Sequence, residues 1–380
     1  MWHQKTGAER DFFNRVVDEY NASNADHYVD PLYKENEEGR NLFIIASVGG
    51  QGPDLIFGPA DNVSIFALTE SIQPVTNVLE PGYLETFSER GTVTWRDETW
   101  LVADQIGNHL TFVYNKALLP EPPTTVSEMI SVLDSITADL DGDGRTDQYG
   151  LTWNYSEPFF FVPFLTAYGG GLMDEDGKPT LNTEATISAI RLILEMRDTY
   201  KVIPASTDYD TAETLFKEGR SAAIINGPWA WAGYSQVGID YGLARIPMIE
   251  ETGRWAAPYI SAKGYSVNVN LDQSKVPYAR RVLEYLTGPD MQRRMANELA
   301  TIPVIESVIA DSVLMSSELL QASLRQVEVG IPMPTAPQLR QIWDGMRGPY
   351  QLIMNGAVSP EEGAQMMQEE VEKRIADTFL

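Results

Sequence analysis

Short apolar runs alternate with amphipathic helical patterns along the whole chain, and this alternation constrains the fold more than any other feature. Residues 9–20 place five large apolar side chains on one helical face, and residues 276–286 repeat that pattern. Residues 54–58 are typical of a buried strand that ends in a loop. Over 380 residues this alternation predicts α/β domains with mostly parallel sheets. At about 150 residues per domain, the length predicts two of them.

Two local signals predict where helices begin. Asn182 is predicted to cap a helix whose inward face carries Ile187 and Ile190. Residues 359–362, Ser-Pro-Glu-Glu, form a capping box that opens a final helix running through Arg374. The chain has no internal repeat and no low-complexity linker. If two domains exist, the chain must therefore pass between them in ordered segments.

The charge and the composition exclude several classes of function. The 28 basic and 54 acidic residues give a net charge of −26, which would repel nucleic acid, anionic membranes and polyanionic ligands. The chain has no cysteine, so thiolate catalysis, disulfides and cysteine–zinc sites are excluded. The three histidines form no metal-spaced cluster, and no apolar run reaches 18 residues. A neutral or cationic ligand remains possible.

Several aromatic residues stand beside glycine or proline, where strands end and loops begin. Trp229 lies in the run 226–231, Asn-Gly-Pro-Trp-Ala-Trp, and Glu157 precedes Pro158 and three phenylalanines. Trp343 lies on a helical stretch after Pro337. Aromatic rings near loop tips can stack on the apolar faces of sugar rings, while carboxylates bind the hydroxyls. The alternative is that these rings only pack in the core.

Residues 139–147 match the spacing of a calcium-binding loop. Carboxylates occupy loop positions 1, 3, 5 and 9, and a glycine at position 6 permits the tight turn. Position 12 is Gly150 and not the usual bidentate glutamate, so one ligand must come from elsewhere or from water. The alternative is a solvated acidic turn. The predicted ligands are the carboxylates of Asp139, Asp141, Asp143 and Asp147 and the backbone carbonyl of Arg145.

The segment 216–231 resembles the maltose/maltodextrin-binding proteins of bacterial ABC importers, which belong to the family 1 extracellular solute-binding proteins. Segments 52–57, 114–123, 168–171 and 333–347 extend the resemblance over most of the chain. It implies an α/β, two-lobed periplasmic-binding-protein fold of type II, with discontinuous lobes and a ligand cleft between them. The first lobe would comprise residues 1–107 and 263–308, and the second 113–258 and 312–380. The hinge segments would be about 108–112, 259–262 and 309–311.

The resemblance also implies which residues bind the ligand. Trp229 and Trp343 would stack on sugar rings, and Glu157 would bind hydroxyls. The chain departs from the family at Gly58, where the best-known relatives have tryptophan, and at Asn62, where they have arginine. The acidic loop would lie on the second lobe, away from the cleft. The full set of implied ligand-binding residues is Trp229, Trp343, Glu157, Phe159, Met333 and Arg347 from the second lobe, Asp61 and Glu9 from the first, and Asn108, which replaces an expected carboxylate.

The resemblance implies a non-catalytic extracytoplasmic receptor that binds a maltose- or maltodextrin-type oligosaccharide and delivers it to the membrane permease of an ABC importer. The alternatives are a receptor for another di- or oligosaccharide and a glycoside hydrolase. We expect a monomer in the periplasm or lipid-anchored at the cell surface, without a nucleic-acid partner and without an export signal at Met1. No cofactor is expected for function, and Ca²⁺ would be structural.

Overall fold

A computed structural model describes residues 1–379. Its strands are β1 (Trp2–His3), β2 (Leu32–Tyr33), β3 (Leu55–Pro59), β4 (Ile72–Gln73), β5 (Thr92–Trp95), β6 (Glu98–Ile106), β7 (Thr111–Asn115), β8 (Tyr149–Thr152), β9 (Ser221–Asn226), β10 (Tyr241–Ala244), β11 (Met248–Ile249), β12 (Arg254–Trp255), β13 (Tyr259–Ile260), β14 (Ala262–Asn268) and β15 (Ile331–Pro332). Its helices are α1 (Gly7–Ser23), α2 (Asn36–Val48), α3 (Val63–Leu68), α4 (Pro81–Leu84), α5 (Val126–Ile136), α6 (Pro158–Ala167), α7 (Glu184–Asp198), α8 (Tyr209–Lys217), α9 (Pro228–Gln236), α10 (Val276–Thr287), α11 (Pro289–Leu299), α12 (Glu306–Ile309), α13 (Ser312–Met315), α14 (Glu318–Val329), α15 (Gln338–Met354) and α16 (Pro360–Phe379).

Two sheets, each with helices packed against it, form two lobes. The seven-stranded sheet has the order β2-β1-β3-β14-β6-β5, and β4 pairs with β14 beside this path. Its core includes the buried faces of α1, α10 and α11. The four-stranded sheet has the order β10-β7-β9-β8, and its core includes the buried faces of α6, α7 and α15. The predicted two-lobed α/β architecture is confirmed, while the residue bounds of the lobes and hinges stay a prediction.

The expectation of mostly parallel sheets is wrong, because both sheets are mixed. Only β1 with β2, β1 with β3, and β8 with β9 pair in parallel within these two sheets. β14 returns from a distant part of the chain and lies antiparallel between β3 and β6. β5 and β6 form a hairpin whose turn residues, Arg96 and Asp97, have φ of 50° and 63°. Positive φ at both turn positions is the geometry of a type I′ turn, which joins antiparallel strands.

The helix signals in the sequence are mostly confirmed. α1 buries Phe12, Phe13, Val16, Val17 and Tyr20, the face that its periodicity predicts. The predicted cap of α7 is wrong by one residue, because the side chain of the following threonine, at position 183, accepts the hydrogen bond from the helix. The serine that precedes α16 accepts a hydrogen bond from the backbone of residue 362, and this helix continues five residues beyond the predicted end. Within residues 1–379, no helix combines the length and the hydropathy that a membrane span requires.

Candidate functional site

A cleft of about 590 Å³ lies between the two lobes and is lined by residues of both. The seven-stranded lobe contributes the loops after β1 and β3 and the start of α2, and the other lobe contributes the starts of α6, α9 and α15. All nine residues that the sequence predicts to bind ligand line this cleft. They are Glu9, Asp61, Asn108, Glu157, Phe159, Trp229, Met333, Trp343 and Arg347.

The Asn-Gly-Pro-Trp run places Trp229 in the cleft. β9 ends at Asn226, whose side chain donates to the Glu213 carboxylate at 2.7 Å and accepts from the Gly227 backbone at 2.9 Å. Pro228 then occupies the first position of α9, where its missing N–H costs nothing. Gly227 is required, because a Cβ at this position would lie 2.2 Å from the Trp229 ring. The run therefore turns the chain sharply and fixes the indole against the backbone.

Three aromatic rings form one wall of the cleft. The Phe159 ring centroid lies 6.5 Å from that of Trp229 and 6.2 Å from that of Trp343. Trp229 is half-buried, and its Nε1 donates to the Tyr209 hydroxyl at 3.0 Å. Trp343 is only 5% exposed and packs in the core of its lobe. Most of the Trp343 ring is therefore packed in the core, whereas Trp229 exposes more of its surface to a ligand.

A chain of ion pairs starts at Glu157, in the same lobe as these rings. Glu157 accepts two hydrogen bonds from Arg347, each at 3.0 Å, in a bidentate pair. This pair raises the pKa of Arg347. Arg347 also lies 3.5 Å from Asp344, which accepts hydrogen bonds from Arg340. These charges alternate in sign along α15, so the wall carries many polar groups with little net charge.

Arg340 carries the ion-pair chain across to the other lobe. Its Nη2 lies 2.5 Å from a carboxylate oxygen of Glu37, and Arg40 lies 2.5 Å from the same oxygen. Burial alone would raise the pKa of Glu37, but the hydrogen bonds from Arg40 and Arg340 lower it to about 2. The two lobes are therefore joined by ionised groups at the edge of the cleft.

Glu9 forms part of the opposite wall within a buried polar cluster. Its carboxylate accepts hydrogen bonds from Lys5 and from Gln105, each at 2.9 Å, and from Lys263 at 3.4 Å. Burial would raise the pKa of Glu9, but Lys263 and Lys5 lower it to about 2. Glu9 is therefore ionised at neutral pH, and its negative charge balances the positive charges of these two lysines.

Asp61 lies near polar atoms that lack hydrogen-bond partners. Among residues 1–379, Asp61 Oδ1, Gln4 Nε2 and Asn62 Nδ2 are buried and have no partner. Burial raises the pKa of Asp61. Gly58 leaves the space beside two of these groups open, because a Cβ there would lie 3.3 Å from both Asn62 Nδ2 and Gln4 Nε2. Asp61 and Gln4 line the cleft, and a free acceptor and a free donor in a cleft wall are suited to binding hydroxyl groups.

Twelve further residues that line the cleft were not predicted from the sequence. Only Arg340 had a readable signal, since it lies on the same face of α15 as Trp343 and Arg347, at helical spacings of three and seven residues. The positions of the others depend on strand pairing or on the approach of the two lobes. They are Gln4, Thr6, Tyr33, Glu35, Asn36, Glu37, Pro59, Asn154, Phe160, Tyr209, Lys263 and Arg340.

The acidic loop is not part of the cleft lining. Carboxylate oxygens of Asp139, Asp141 and Asp147 lie within 4.8 Å of one another, and Asp143 is not part of this group. Asp139 accepts hydrogen bonds from the backbone of Gly142 at 2.7 Å and Gly144 at 2.8 Å. Both glycines have positive φ, 78° and 86°, which bends the loop around the carboxylates.

Comparison with known proteins identifies the family. The family model of the bacterial extracellular solute-binding proteins matches residues 15–322. The chain belongs to this family. A solved solute-binding structure, the maltose/maltodextrin-binding domain from Bdellovibrio bacteriovorus bound to maltotriose, is 37% identical, with a TM-score of 0.96 over 99% of both chains. The Thermus thermophilus maltotriose-binding protein bound with maltotriose has the same fold, with 22% identity and a TM-score of 0.88 over 98% of this chain and 99% of that one.

Two curated proteins are also similar to this chain. The maltotriose-binding protein of Pyrococcus abyssi is 24% identical over 93% of this chain and 77% of its own length. The galactooligosaccharide-binding protein of Bacillus subtilis is 25% identical over 86% of this chain and 78% of its own length. These relatives are binding proteins, and the family is described as extracellular.

Proposed function

We propose that this solute-binding protein is a receptor for maltotriose and related maltodextrins. The observation that carries this proposal is the cleft itself, in which the Trp229 and Phe159 rings of one lobe share the lining with unpartnered polar groups around Asp61 of the other. Aromatic rings suit the apolar faces of glucose units, and the polar groups suit their hydroxyls. The 37% identical relative, whose structure was solved with maltotriose, supports the choice of sugar.

The receptor would act by closing around its ligand. A sugar that contacts both lobes binds the closed form more tightly than the open form, so it shifts the population toward closure. The permease of an ABC importer would then recognise the closed arrangement of the two lobes. The protein would work outside the cytoplasm as a monomer, and its acidic surface is compatible with a neutral sugar.

Hydrolysis is the competing activity, and the cleft offers little support for it. A glycoside hydrolase needs two carboxyl groups on either side of one glycosidic bond. Both oxygens of Glu157 accept hydrogen bonds from Arg347, and Asp61 belongs to the other lobe. We therefore expect no new reducing ends when maltodextrins are incubated with the protein. Hydrolysis that disappears in Glu157→Gln would show that the protein is an enzyme and would overturn the receptor proposal.

Calorimetric titration against a sugar panel tests the proposal. The panel contains maltotriose, maltotetraose, trehalose, sucrose, xylotriose and a galactooligosaccharide. Maltotriose and maltotetraose should bind most tightly. If another sugar of the panel binds at least tenfold more tightly than maltotriose, that sugar is the ligand and the proposed specificity is wrong. If no sugar of the panel binds, the proposal is refuted.

We also propose that the loop 139–147 binds a structural Ca²⁺. The converging oxygens of Asp139, Asp141 and Asp147 support this, because carboxylates brought together without a cation repel one another. The backbone carbonyl of Arg145 would complete the set, and Asp143 would contribute directly or through water. The cation would stabilise this loop of the second lobe and would not touch the sugar.

A further inference from the structure

Lys263 presents an incompletely bonded ammonium group to the cleft. It lies in β14, its side chain is 11% exposed, and it lines the cleft. An ammonium group carries three donors, and a buried one needs acceptors. Among residues 1–379, the one hydrogen bond from Lys263 Nζ goes to Glu9 Oε2, at a long distance of 3.4 Å. Two donors therefore lack acceptors in the protein.

Glu9 does not account for Lys263 by itself. Lys5 and Gln105 both donate to Oε1 of Glu9 at 2.9 Å, and Oε2 accepts from Lys263 at 3.4 Å. Lys5 also contacts Asp104 at 3.2 Å. Lys5 therefore takes the short contacts of this cluster, and Lys263 keeps only the long one. A lysine needed only to neutralise Glu9 would lie closer to it and would have no reason to line the cleft.

The ammonium group of Lys263 lies near two aromatic rings, with Nζ 5.6 Å from the centre of the Phe57 ring of its own lobe. The Nζ atom is 5.8 Å from the centre of the Trp229 ring, although the two residues belong to opposite walls of the cleft. A sugar ring in van der Waals contact with the indole would lie about 4 Å from it. With Nζ 5.8 Å from the same ring centre, the hydroxyls at the edge of that sugar ring would come within hydrogen-bonding distance of the ammonium group.

We propose that Lys263 is a ligand-binding and specificity-determining residue, whose Nζ donates a hydrogen bond to a hydroxyl of the sugar ring stacked on Trp229. This inference rests on the proposed function. It gives the first-lobe wall of the cleft a cationic donor. A site built around a buried donor rejects ligands that lack the matching acceptor more strongly than an apolar pocket rejects a size difference.

The first test compares Lys263→Met with a matched control. Methionine keeps most of the apolar stem and removes the charge. Lys275→Met makes the same change at an exposed lysine that pairs with Asp54 and does not line the cleft. A hydrogen bond from a charged donor is worth about 1.5–3 kcal/mol, so K263M should bind maltotriose about 10- to 100-fold more weakly, while K275M should match the wild type.

The outcomes separate this inference from the proposed function. If the wild type and K275M bind no sugar of the panel, the proposed function fails. If the wild type binds maltotriose and a folded K263M binds it equally well, only the role of Lys263 is overturned. If K263M does not fold, Lys263→Gln gives the same comparison with a shorter, neutral and polar side chain.

Monodeoxy analogues of maltotriose distinguish a direct hydrogen bond from an effect through Glu9. A direct bond predicts one analogue that binds the wild type at least tenfold more weakly than maltotriose does, and that shows little or no such loss in K263M. Equal losses for every analogue in both proteins would overturn the proposal, because Lys263 would then act only on its neighbours.

Discussion

Arg340 of α15 and Glu37 of α2 form an ion pair between the lobes, with Arg340 Nη2 2.5 Å from Glu37 Oε2. The same guanidinium bonds to Asp344, which lies 3.5 Å from Arg347, the bidentate partner of Glu157. The contact that joins the lobes is thus connected by three further ion pairs to a residue predicted to bind sugar. Charged groups therefore run without a break from the contact between the lobes to the cleft wall at Glu157.

We predict that weakening this ion pair reduces ligand affinity through the closed state. Glu37→Gln and Arg340→Gln should each weaken maltotriose binding about two- to fivefold, since a partly exposed pair is worth up to about 1 kcal/mol. Calorimetry measures the affinity, and small-angle scattering of the ligand-free variants should show a more open protein. The double variant should lose less than the sum of the two single variants, because both remove one interaction. Strictly additive losses would show that the two residues act separately.

Trp229 and Trp343 should respond differently to truncation. Trp229→Ala should cost about 1–3 kcal/mol of sugar binding, by analogy with stacking on aromatic platforms, and should change thermal stability little. Trp343 is 5% exposed, so Trp343→Ala should lower the free energy of unfolding by about 3–5 kcal/mol. Titration and denaturant unfolding of both variants check this. Unchanged sugar affinity in W229A would show that Trp229 is not the stacking surface of the proposed site.

Calcium bound to the acidic loop should be visible as a change in thermal stability. A chelator should lower the melting temperature of the wild type, and added Ca²⁺ should restore it, because a cation that binds only the folded state stabilises it. Asp139→Asn should melt at the same temperature with and without the chelator. Identical melting curves of the wild type with and without the chelator would show that the loop is an acidic turn that binds no cation.

Acid should destabilise the protein partly through His109. This residue is fully buried, with Nε2 2.9 Å from the Ser323 hydroxyl, and burial lowers its pKa from 6.5 to about 3. Between these values the unfolded chain binds a proton that the folded protein does not, so stability falls as the pH falls through this window. The slope due to one such group is at most about 1.4 kcal/mol per pH unit. Denaturant unfolding from pH 7 to pH 4 should therefore show a shallower slope for His109→Gln, and equal slopes would contradict this.

The sequence predicted features that depend on local periodicity or on a complete motif. The apolar face of α1 repeats every three to four residues, so its burial could be read directly. Strand direction could not, because β14 finds its partners in a distant part of the chain. The residues named through the family resemblance line the cleft, since motifs such as the one around Trp229 fix the local backbone.

The remaining cleft residues were missed because their positions depend on contacts between the lobes. Glu37 is one of several glutamates at the start of α2, and only the approach of Arg340 distinguishes it. Lys263 is one of six residues of β14 with buried side chains, and nothing in the sequence shows that it faces Trp229. Such pairs depend on the approach of the two lobes and not on spacing along the chain.

A crystal structure of the wild-type protein with maltotriose tests the central proposal most directly. The proposal predicts a glucose ring stacked on Trp229, with hydroxyls of the same trisaccharide hydrogen-bonded to the first-lobe wall near Asp61. Maltotriose bound outside the cleft, or contacting one lobe alone, would contradict it.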